Sequence, residues 1–491
     1  MTPANSAAGL KVLFAASEIA PFAKSGGLGD VAGSLPPALA RLGLEVVLVM
    51  PLHRQVERQA HGLSQSGLTL SVPAGGRHYP ATVWEASLPG CRVYFLENRE
   101  LFDRPGLYGP QGGDFADNPL RFVWFCRGVI ELARALGFAA RVVHAHDWQT
   151  ALLPAILSSG AWDPGPLAGA ATLLTIHNLA YQGIYPREAF GLTGLPAWLD
   201  SPRGSEFWGN TSLLKAGLVT ARALNTVSPT YAREIQTPEG GHGLEGVLAE
   251  RRSDLHGILN GADYQEWSPE DDPHLPRGYS AGDLDGKRAC RQALLAEMGL
   301  EPAGPETTIL GFVGRLAYQK GVDLLPLALP RLLLDDVRVC LLGSGQPHYE
   351  EPLRRLAAAH PGRLGLKLEF SEPLAHLITA GSDVFMMPSR YEPCGLNQIY
   401  ALRYGTAPVV RATGGLKDTV QPFDPITCLG TGFAFEHFSP QDLGCALREA
   451  LWTRARPRLW RGLVQQAMAQ DFSWGASARA YAELYASLLG M

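Results

Sequence analysis

Residues 11–31, KVLFAASEIAPFAKSGGLGDV, join an apolar run to a glycine-rich loop. The run KVLFAAS predicts a first β-strand, and the loop KSGGLGDV stands where that strand gives way to a helix. A loop of this kind forms either a bare tight turn or a phosphate cradle made of backbone N–H groups and a lysine. These residues alone leave both interpretations open.

The loop matches neither of two familiar phosphate-binding motifs. In a P-loop the lysine follows the glycines and precedes Ser or Thr, whereas Lys24 precedes Gly26 and Gly27. The segment also departs from G-x-G-x-x-G, because Ala32 holds the third glycine position. A nicotinamide-dependent dehydrogenase is disfavoured, since it needs that glycine pattern and a ribose-binding acid about 20 residues later.

Beyond this loop, short apolar runs alternate with longer amphipathic segments. EVVLVMP, RVYFLE, RVVHAH and ATLLTIH predict strands, and NPLRFVWFCRGVIELARALG predicts a helix between two of them. The polar, Pro- and Gly-rich segment 263–306 is predicted to be a linker. The alternation restarts with TILGFVGR, VRVCLLGSG, LKLEF, DVFMMPS and APVVRAT. The predicted fold class is α/β, with two Rossmann-like, doubly wound parallel-sheet domains joined near residue 262.

The composition is that of an ordinary globular chain. Of its 491 residues 46% are hydrophobic and 18% charged, and 42 basic against 47 acidic residues give a formal net charge of −5. No overall positive field attracts nucleic acid or an anionic membrane, so neither is a predicted partner. The seven cysteines form no C-x-x-C pair, and we find neither a signal-peptide pattern nor an apolar run of the roughly 18 residues that a membrane span needs. We therefore expect a reduced, cytoplasmic protein.

Polar side chains end two predicted strands of the first half. RVVHAH leads into HAHDWQT, which contains His146 and Asp147, and ATLLTIH leads into TIHNLAYQG, which contains His177 and Asn178. Ligands of open α/β sheets bind at the carboxyl ends of the strands, so we expect these residues to be exposed to a ligand. A metal site that includes His144 and plain capping of the strand ends are the alternatives.

The second half places cations and a carboxylate at comparable positions. GFVGRLAYQKG carries Arg315 at a strand end and Lys320 five residues later, near a predicted helix start. Two such cations suit a diphosphate, and a solvated basic turn is the alternative. After DVFMMPS, the segment SRYEPCGLNQIYALRYG carries Glu392 just before a predicted helix. The backbone N–H groups that are available there to an oxyanion belong to Cys394, Gly395 and Leu396.

Taken together, these motifs resemble one family. K-S-G-G-L-G-D, HAHDW, TIHN, GRL-x-x-QKG, EPCGL and TGGL have the order and spacing seen in bacterial glycogen synthases and plant starch synthases, over most of the chain. The resemblance implies the GT-B fold, with the active site in the cleft between the two domains. It implies a retaining glucosyltransferase that moves glucose from ADP-glucose to the 4-hydroxyl at the non-reducing end of an α-1,4-glucan such as glycogen. The loop that opens the chain is then a phosphate and sugar cradle.

The same resemblance implies a role for each motif residue. Asp147 and His177 face the transferred glucose, Arg315 and Lys320 hold the diphosphate, and Glu392 contacts the sugar and supports its developing positive charge. The remaining predicted substrate-binding residues are Lys24, Gly26, Gly27, Asn178, Cys394, Gly395, Leu396, Thr413, Gly414 and Gly415.

The chain departs from the E-x7-E pattern of many retaining GT-B enzymes. Tyr400 stands at the second position, as in the bacterial glycogen synthase subgroup, so Glu392 is the only carboxylate of the motif. Neither a cofactor nor a catalytic metal is expected. The triplet Asp283-Leu284-Asp285 matches the metal-binding pattern of transferases with another fold, but it lies in the predicted linker and is expected to be a solvated loop.

Three alternative functions remain at this stage. In the first, the reaction is the same but the donor is UDP-glucose. In the second, the chain is a GT-B α-glucan phosphorylase, an enzyme that would need a lysine to form a Schiff base with PLP. The third, a non-catalytic glucan-binding protein, has no use for Arg315, Lys320 and Glu392 together.

The predicted domain organisation has three parts. Residues 1–262 form a Rossmann-like acceptor-side domain, and residues 263–471 form a Rossmann-like nucleotide-sugar-binding domain. Residues 472–491 form a C-terminal helix that is expected to pack back on the first domain.

Overall fold

The computed structural model describes residues 8–110 and 113–491, which form two compact units. The first unit runs to Val227 and also contains Ala232–Gly261 and Trp474–Met491, and the second contains Ser228–Tyr231 and Ala262–Ser473. Within the described residues, no helix is long and apolar enough to cross a membrane.

The first unit is built on a mixed sheet. The strands of this unit are β1 (Lys11–Ala15), β2 (Glu45–Pro51), β3 (Ser64–Ala74), β4 (Arg77–Leu88), β5 (Cys91–Glu97), β6 (Val142–His146), β7 (Ala171–Ile176), β8 (Ile184–Pro186), β9 (Glu206–Phe207), β10 (Asn210–Ser212), β11 (Ala223–Thr226) and β12 (Leu255–Gly257). The helices up to residue 250 are α1 (Gly27–Arg41), α2 (Arg99–Phe102), α3 (Asn118–Leu136), α4 (Asp147–Thr150), α5 (Leu152–Ser159), α6 (Phe190–Thr193), α7 (Leu213–Thr220), α8 (Pro229–Glu234) and α9 (Glu245–Glu250).

The strand order of the main sheet is β12-β11-β7-β6-β1-β2-β5-β4-β3. The pairs from β12 to β5 are parallel, whereas β4 pairs antiparallel with both β5 and β3. The prediction of a doubly wound parallel sheet is thus confirmed, with an antiparallel β3–β4 hairpin that the sequence prediction lacked. The hairpin strands alternate exposed and buried residues, so they do not form the apolar runs on which the prediction depended. The short strands β8, β10 and β9 form a separate antiparallel sheet.

The second unit has a wholly parallel sheet in the order β15-β14-β13-β16-β17-β18. Its strands are β13 (Thr308–Val313), β14 (Val337–Leu342), β15 (Leu364–Lys367), β16 (Val384–Met387), β17 (Ala407–Arg411) and β18 (Phe433–Phe435). Its helices are α10 (Asp285–Glu297), α11 (Leu325–Leu332), α12 (Pro347–Ala359), α13 (Glu372–Gly381), α14 (Asn397–Arg403), α15 (Gly414–Thr419), α16 (Pro440–Arg454) and α17 (Pro457–Met468). In sequence order within the unit this is 3-2-1-4-5-6, the Rossmann arrangement.

The parallel part of each main sheet reverses its strand order at one point, and ligands of doubly wound folds bind at such switch points. In the first unit the reversal lies between β1 and β6, and in the second between β13 and β16. The residues that follow these four strands are therefore placed where a ligand is expected.

The prediction of a linker at 263–306 is wrong. The segment belongs to the second unit, contains α10, and buries Tyr279, Cys290 and Leu294 among other apolar side chains. Its high content of Pro, Gly and charged residues concealed these few buried positions, because α10 presents only one narrow apolar face.

The last helix, α18 (Trp474–Leu488), belongs to the first unit. Its Tyr485 hydroxyl lies 2.7 Å from Nδ1 of His144, and its Tyr481 hydroxyl accepts a 2.9 Å hydrogen bond from Asn225. Both tyrosines are fully buried in the core that the first sheet forms with α1. Polar side chains under the sheet thus fix the position of this helix.

Candidate active site

The first switch point brings the predicted residues Asp147 and His177 together. The Asp147 carboxylate accepts a 2.7 Å hydrogen bond from the backbone N–H of His177, which links the ends of β6 and β7. Asp147 has a φ of 53°, in the left-handed region, which an aspartate tolerates better than most residues. Contrary to the prediction that these side chains are exposed, both are buried.

The two histidines of β6 and His177, which follows β7, form a buried row. Nδ1 of His146 and Nε2 of His177 share a 3.0 Å hydrogen bond, and burial lowers the pKa of His177 to about 3. His144 contacts Tyr485 through Nδ1 and Thr175 through Nε2, at 2.7 and 2.6 Å. Both ring nitrogens of His144 are therefore engaged by the protein, which argues against the alternative of a metal site at these strands.

Glu18, which the sequence analysis did not single out, lies beneath the glycine-rich loop. Its carboxylate accepts hydrogen bonds from the backbone N–H and the hydroxyl of Ser25 and from the Tyr108 hydroxyl. Lys24 lies at the surface of this loop and forms a 3.1 Å ion pair with Asp30 in the first turn of α1. Glu18 thus holds the loop from below while Lys24 remains half-exposed.

Gly26 and Gly27 border open space. A Cβ atom added at either position would meet no atom within 4 Å. Their backbone N–H groups stand at the N-terminus of α1, a 15-residue helix, where an anionic group is stabilised by the helix dipole. The phosphate-cradle interpretation of the loop is therefore sterically feasible.

Asp147 is held in an environment that disfavours its charge. Burial, together with the nearby charge of Glu18, raises the pKa of Asp147 to about 7, although hydrogen bonds from the backbone of His177 and Asn178 oppose this rise. Burial also raises the pKa of Glu18. Two carboxyl groups that are costly to ionise thus lie at the same switch point, which is typical of a functional site.

Asp147→Asn is expected to stabilise the protein at alkaline pH. The raised pKa means that the folded protein keeps a proton that the unfolded chain releases, so this group lowers the free energy of unfolding as the pH rises from about 4 to about 7. Asn lacks the charge but tolerates the left-handed backbone. Urea unfolding at pH 5 and pH 8 is expected to show that the advantage of Asp147→Asn grows by about 2–4 kcal/mol between these values. Asp283→Asn is the exposed control, and an equal difference at both pH values would contradict the prediction.

The second switch point joins two of the predicted residues directly. Nζ of Lys320 lies 2.6 Å from Oε2 of Glu392, and the same oxygen accepts a 3.0 Å hydrogen bond from Ser389. The Glu392 side chain is 6% exposed and that of Lys320 22% exposed, so the pair has one side toward solvent. Arg315 follows β13, is exposed, and makes no hydrogen bond or ion pair with the described part of the chain.

Two glycines bring the loops of this pair close together. Gly321 has a φ of 63°, and a Cβ atom there would lie 1.9 Å from the carbonyl oxygen of Pro388. A Cβ atom at Gly414, where φ is 46°, would lie 1.9 Å from the carbonyl oxygen of Glu392. Neither position 321 nor position 414 therefore has room for a side chain. The close approach of these two glycines holds the backbone around Glu392 in place.

The TGGL turn supports the Glu392 loop. The N–H of Gly415 donates to the carbonyl oxygens of Glu392 and Pro393, at 3.1 and 3.2 Å. Cys394 is buried, and Gly395 and Leu396 lead into α14. The N–H of Gly415, a residue predicted to bind substrate, thus contributes to the geometry of the Glu392 loop.

Tyr400 has a structural explanation. Its ring stacks on Trp267 with 4.2 Å between the ring centroids and 5° between the planes, and Trp267 stacks on His376 at 3.6 Å. Position 400 therefore carries an aromatic side chain that joins α14 to residues before α10. Trp267 lies in the segment that was predicted to be a linker, so this stack was not predicted.

The triplet Asp283-Leu284-Asp285 lies at the start of α10. The carboxylate of Asp283 accepts a 2.9 Å hydrogen bond from the N–H of Asp285, and Asp285 forms a 3.1 Å ion pair with Arg288. Both aspartates are exposed. Their carboxylates therefore act on the first turn of a helix and on its exposed arginine.

Comparisons with known proteins show the family to which the chain belongs. The family model described as "Starch synthase catalytic domain" matches residues 11–250, and "Glycosyl transferases group 1" matches residues 301–461. The glycogen synthase of Anaeromyxobacter dehalogenans strain 2CP-1 is 51% identical over 481 residues, which cover 98% of this chain and 99% of that protein. The glycogen synthase of Myxococcus xanthus is 50% identical over 485 residues, which cover 98% and 100%.

Two solved structures are similar over nearly their whole length. The catalytic domain of starch synthase IV from Arabidopsis thaliana, bound to ADP and acarbose, has a TM-score of 0.90 and 34% identity, and the match covers 99% of this chain and 100% of that one. Sucrose-phosphate synthase from Thermosynechococcus elongatus has a TM-score of 0.60 and 18% identity over 98% of this chain and 99% of that one, which shows the fold alone. The chain therefore belongs to the family of bacterial glycogen synthases and plant starch synthases, and it has the GT-B fold of these glycosyltransferases.

Proposed function

We propose that the chain is a retaining glucosyltransferase that moves glucose from ADP-glucose to the 4-hydroxyl at the non-reducing end of an α-1,4-glucan such as glycogen. The observation that carries the proposal is the Lys320–Glu392 ion pair of 2.6 Å at the switch point of a Rossmann-type sheet. This pair places a cation that can bind the donor phosphate next to a carboxylate that can stabilise positive charge on the sugar. Family membership and the starch synthase structure with ADP support it.

The two charges suit opposite ends of one transition state. Departure of ADP from glucose builds negative charge on the leaving phosphate and positive charge on the sugar ring. Lys320 and Arg315 stabilise the phosphate, and Glu392 stabilises the sugar. Because Lys320 already neutralises Glu392, binding of a diphosphate draws the ammonium toward the donor and leaves the carboxylate available to the developing cation.

The first unit contributes groups that orient the sugar. In our proposal Lys24 and the N–H groups of Gly26 and Gly27 bind the donor, while Asp147 and His177 face the transferred glucose, with Asn178 beside them. His177 is neutral, since burial lowers its pKa to about 3, so it serves as a hydrogen-bonding group rather than as a cation. Asp147 and His177 already fix each other through the 2.7 Å hydrogen bond between them.

The remaining predicted substrate-binding residues lie beside Glu392. We propose that the backbone at Cys394, Gly395 and Leu396 meets the donor phosphate, and that Thr413, Gly414 and Gly415 keep this loop in place. All the cysteines are free thiols, and five of the seven are buried, which suits the reducing cytoplasm in which we propose that the reaction takes place.

The donor is tested by a direct comparison. Purified protein is assayed with ADP-glucose and UDP-glucose on a glycogen primer, with Glu392→Ala as the inactive control. The proposal expects kcat/KM to be at least about tenfold higher with ADP-glucose, a difference of about 1.4 kcal/mol. A preference for UDP-glucose would replace the donor and keep the reaction. Glucan phosphorolysis without either nucleotide sugar, together with PLP absorbance, would favour a phosphorylase.

Catalysis is expected to need no divalent metal. The charge that a metal would supply to the diphosphate is present in Lys24, Arg315 and Lys320. Turnover of ADP-glucose at 25 °C is therefore expected to survive dialysis against excess EDTA. The double variant Asp283→Asn and Asp285→Asn is expected to keep kcat within about threefold, under 1 kcal/mol. Loss of turnover in EDTA with recovery in Mn²⁺ would overturn this mechanism.

A further inference from the structure

Three residues outside these motifs form a compact group of potential metal ligands. One carboxylate oxygen each of Glu266 and Glu372 and one ring nitrogen of His376 all lie within 4.8 Å of one another. Two ligands at about 2 Å from one ion are separated by up to roughly 4 Å, so small side-chain rotations suffice to complete such a site. Both glutamates are exposed, so their carboxylates lie at the surface where such rotations take place.

His376 supplies an independent observation. The residue is 1% exposed, its Nδ1 lies 2.8 Å from the carboxylate of Asp272, and its buried Nε2 has no hydrogen-bond partner among residues 8–110 and 113–491. A buried polar atom without a partner is unfavourable and calls for an explanation. The contact with Asp272 places the ring proton on Nδ1 and leaves the lone pair on Nε2, which is the arrangement of a metal-ligating histidine with a carboxylate behind it.

The helix arranges two of the three ligands. Glu372 and His376 are four residues apart on α13, so their side chains project from the same face. Trp267 stacks on the His376 ring at 3.6 Å and fixes its plane, and Asp272 is held in turn by a 2.6 Å hydrogen bond from Tyr404. The imidazole is thus oriented before any ion arrives, which reduces the entropic cost of binding.

We propose that Glu266, Glu372 and His376 bind one divalent transition-metal ion, with Zn²⁺ the preferred ion. An imidazole with two carboxylates suits Zn²⁺, whereas Mg²⁺ prefers oxygen ligands in a regular octahedron. Three protein ligands leave a fourth position for water. The ion would connect the segment before α10 to α13 and, through Trp267 and Tyr400, to the helix that follows Glu392, so its role is to stabilise the second unit.

Zinc binding by the full-length protein tests the proposal. The protein is stripped with a chelator, dialysed into metal-free buffer and titrated with Zn²⁺ by calorimetry. We expect one Zn²⁺ per chain, with affinity at least tenfold lower in Glu372→Gln and in Glu266→Gln. Glu297→Gln, at an exposed position of α10, is the matched control and is expected to bind as the wild type does. Mg²⁺ at the same concentrations is expected not to bind.

A second measurement identifies the ligands. X-ray absorption of the zinc-loaded protein is expected to show one imidazole nitrogen and only oxygen otherwise, and Zn²⁺ is expected to raise the midpoint of thermal unfolding in the wild type but not in Glu372→Gln. Absence of stoichiometric binding would overturn the proposal. So would binding that both glutamine variants retain, or sulfur ligation, which would assign the zinc to the exposed Cys428 or Cys445.

Discussion

Glu392→Ala is expected to lower kcat by roughly a hundredfold or more while the donor KM changes little. The Glu392 carboxylate matters most when positive charge develops on the glucose, so its loss removes an interaction that is made chiefly in the transition state. Initial rates at varied ADP-glucose concentrations on a glycogen primer separate the two constants. A variant that keeps most of its kcat would contradict the assignment.

Two controls make this result specific. Glu392→Ala leaves Lys320 without its 2.6 Å partner, so Glu392→Gln, which keeps the shape of the side chain, separates lost charge from a disturbed loop. Cys394, two residues away and buried, is the second control. A nucleophilic cysteine needs an adjacent base. We expect Cys394→Ser to keep measurable turnover, and a loss as complete as that of Glu392→Ala would indicate thiol chemistry instead.

Arg315→Ala and Lys320→Ala are each expected to cost about 2–4 kcal/mol in transition-state stabilisation, measured as kcat/KM. Both cations lie in the second unit, where the negative charge of the leaving group is proposed to grow. Lys24→Gln, in the first unit, is expected to raise the donor KM at least as much as it lowers kcat. Near-normal kcat/KM in the Arg315 and Lys320 variants would place the diphosphate elsewhere.

The ion pair makes a further prediction about how these variants combine. Because Lys320 and Glu392 are in contact, the double variant Lys320→Ala with Glu392→Ala is expected to lose less than the sum of the two single losses. Arg315 makes no hydrogen bond or ion pair with Glu392 in the described part of the chain, so that pair is expected to be closer to additive. Additivity in both pairs would indicate that Lys320 and Glu392 act independently.

Most of the parallel strands were predictable because they are apolar and largely buried on both faces, whereas β11, β12 and β18, with only three or four residues each, were not predicted. EVVLVMP coincides with β2 (Glu45–Pro51), and NPLRFVWFCRGVIELARALG ends one residue beyond α3 (Asn118–Leu136). LKLEF begins at Leu366 and is therefore displaced from β15 (Leu364–Lys367), because this short strand contains only two large apolar side chains, Leu364 and Leu366. Strands with one exposed face, as in the β3–β4 hairpin, escaped notice. Apolar runs thus predict the central strands, whose ends form the two switch points, but they do not predict all the strands at the edges of the sheets.

The residues of the candidate site were predictable only where they belong to a short sequence motif. Glu18 lies among small and apolar residues, and its function beneath the loop depends on Tyr108, which is 90 residues away. Such long-range hydrogen bonds leave no local pattern in a sequence. For the same reason, the stack of Tyr400 on Trp267 could not be inferred. Arg315, Lys320 and Glu392, by contrast, follow the predicted strands β13 and β16, so their positions at the carboxyl ends of these strands were predictable.

The position of α18 affects how the protein is synthesised. This helix completes the core of the first unit, yet it lies C-terminal to the whole second unit. Ribosomes deliver the chain from the N-terminus, so the first sheet emerges long before the helix that covers Val12, Phe14 and their neighbours. In the second unit, by contrast, all strands and helices lie before Ser473 and are therefore translated before α18. We therefore infer that the domain translated first is the one finished last, and that a nascent chain paused near residue 470 exposes apolar surface to chaperones.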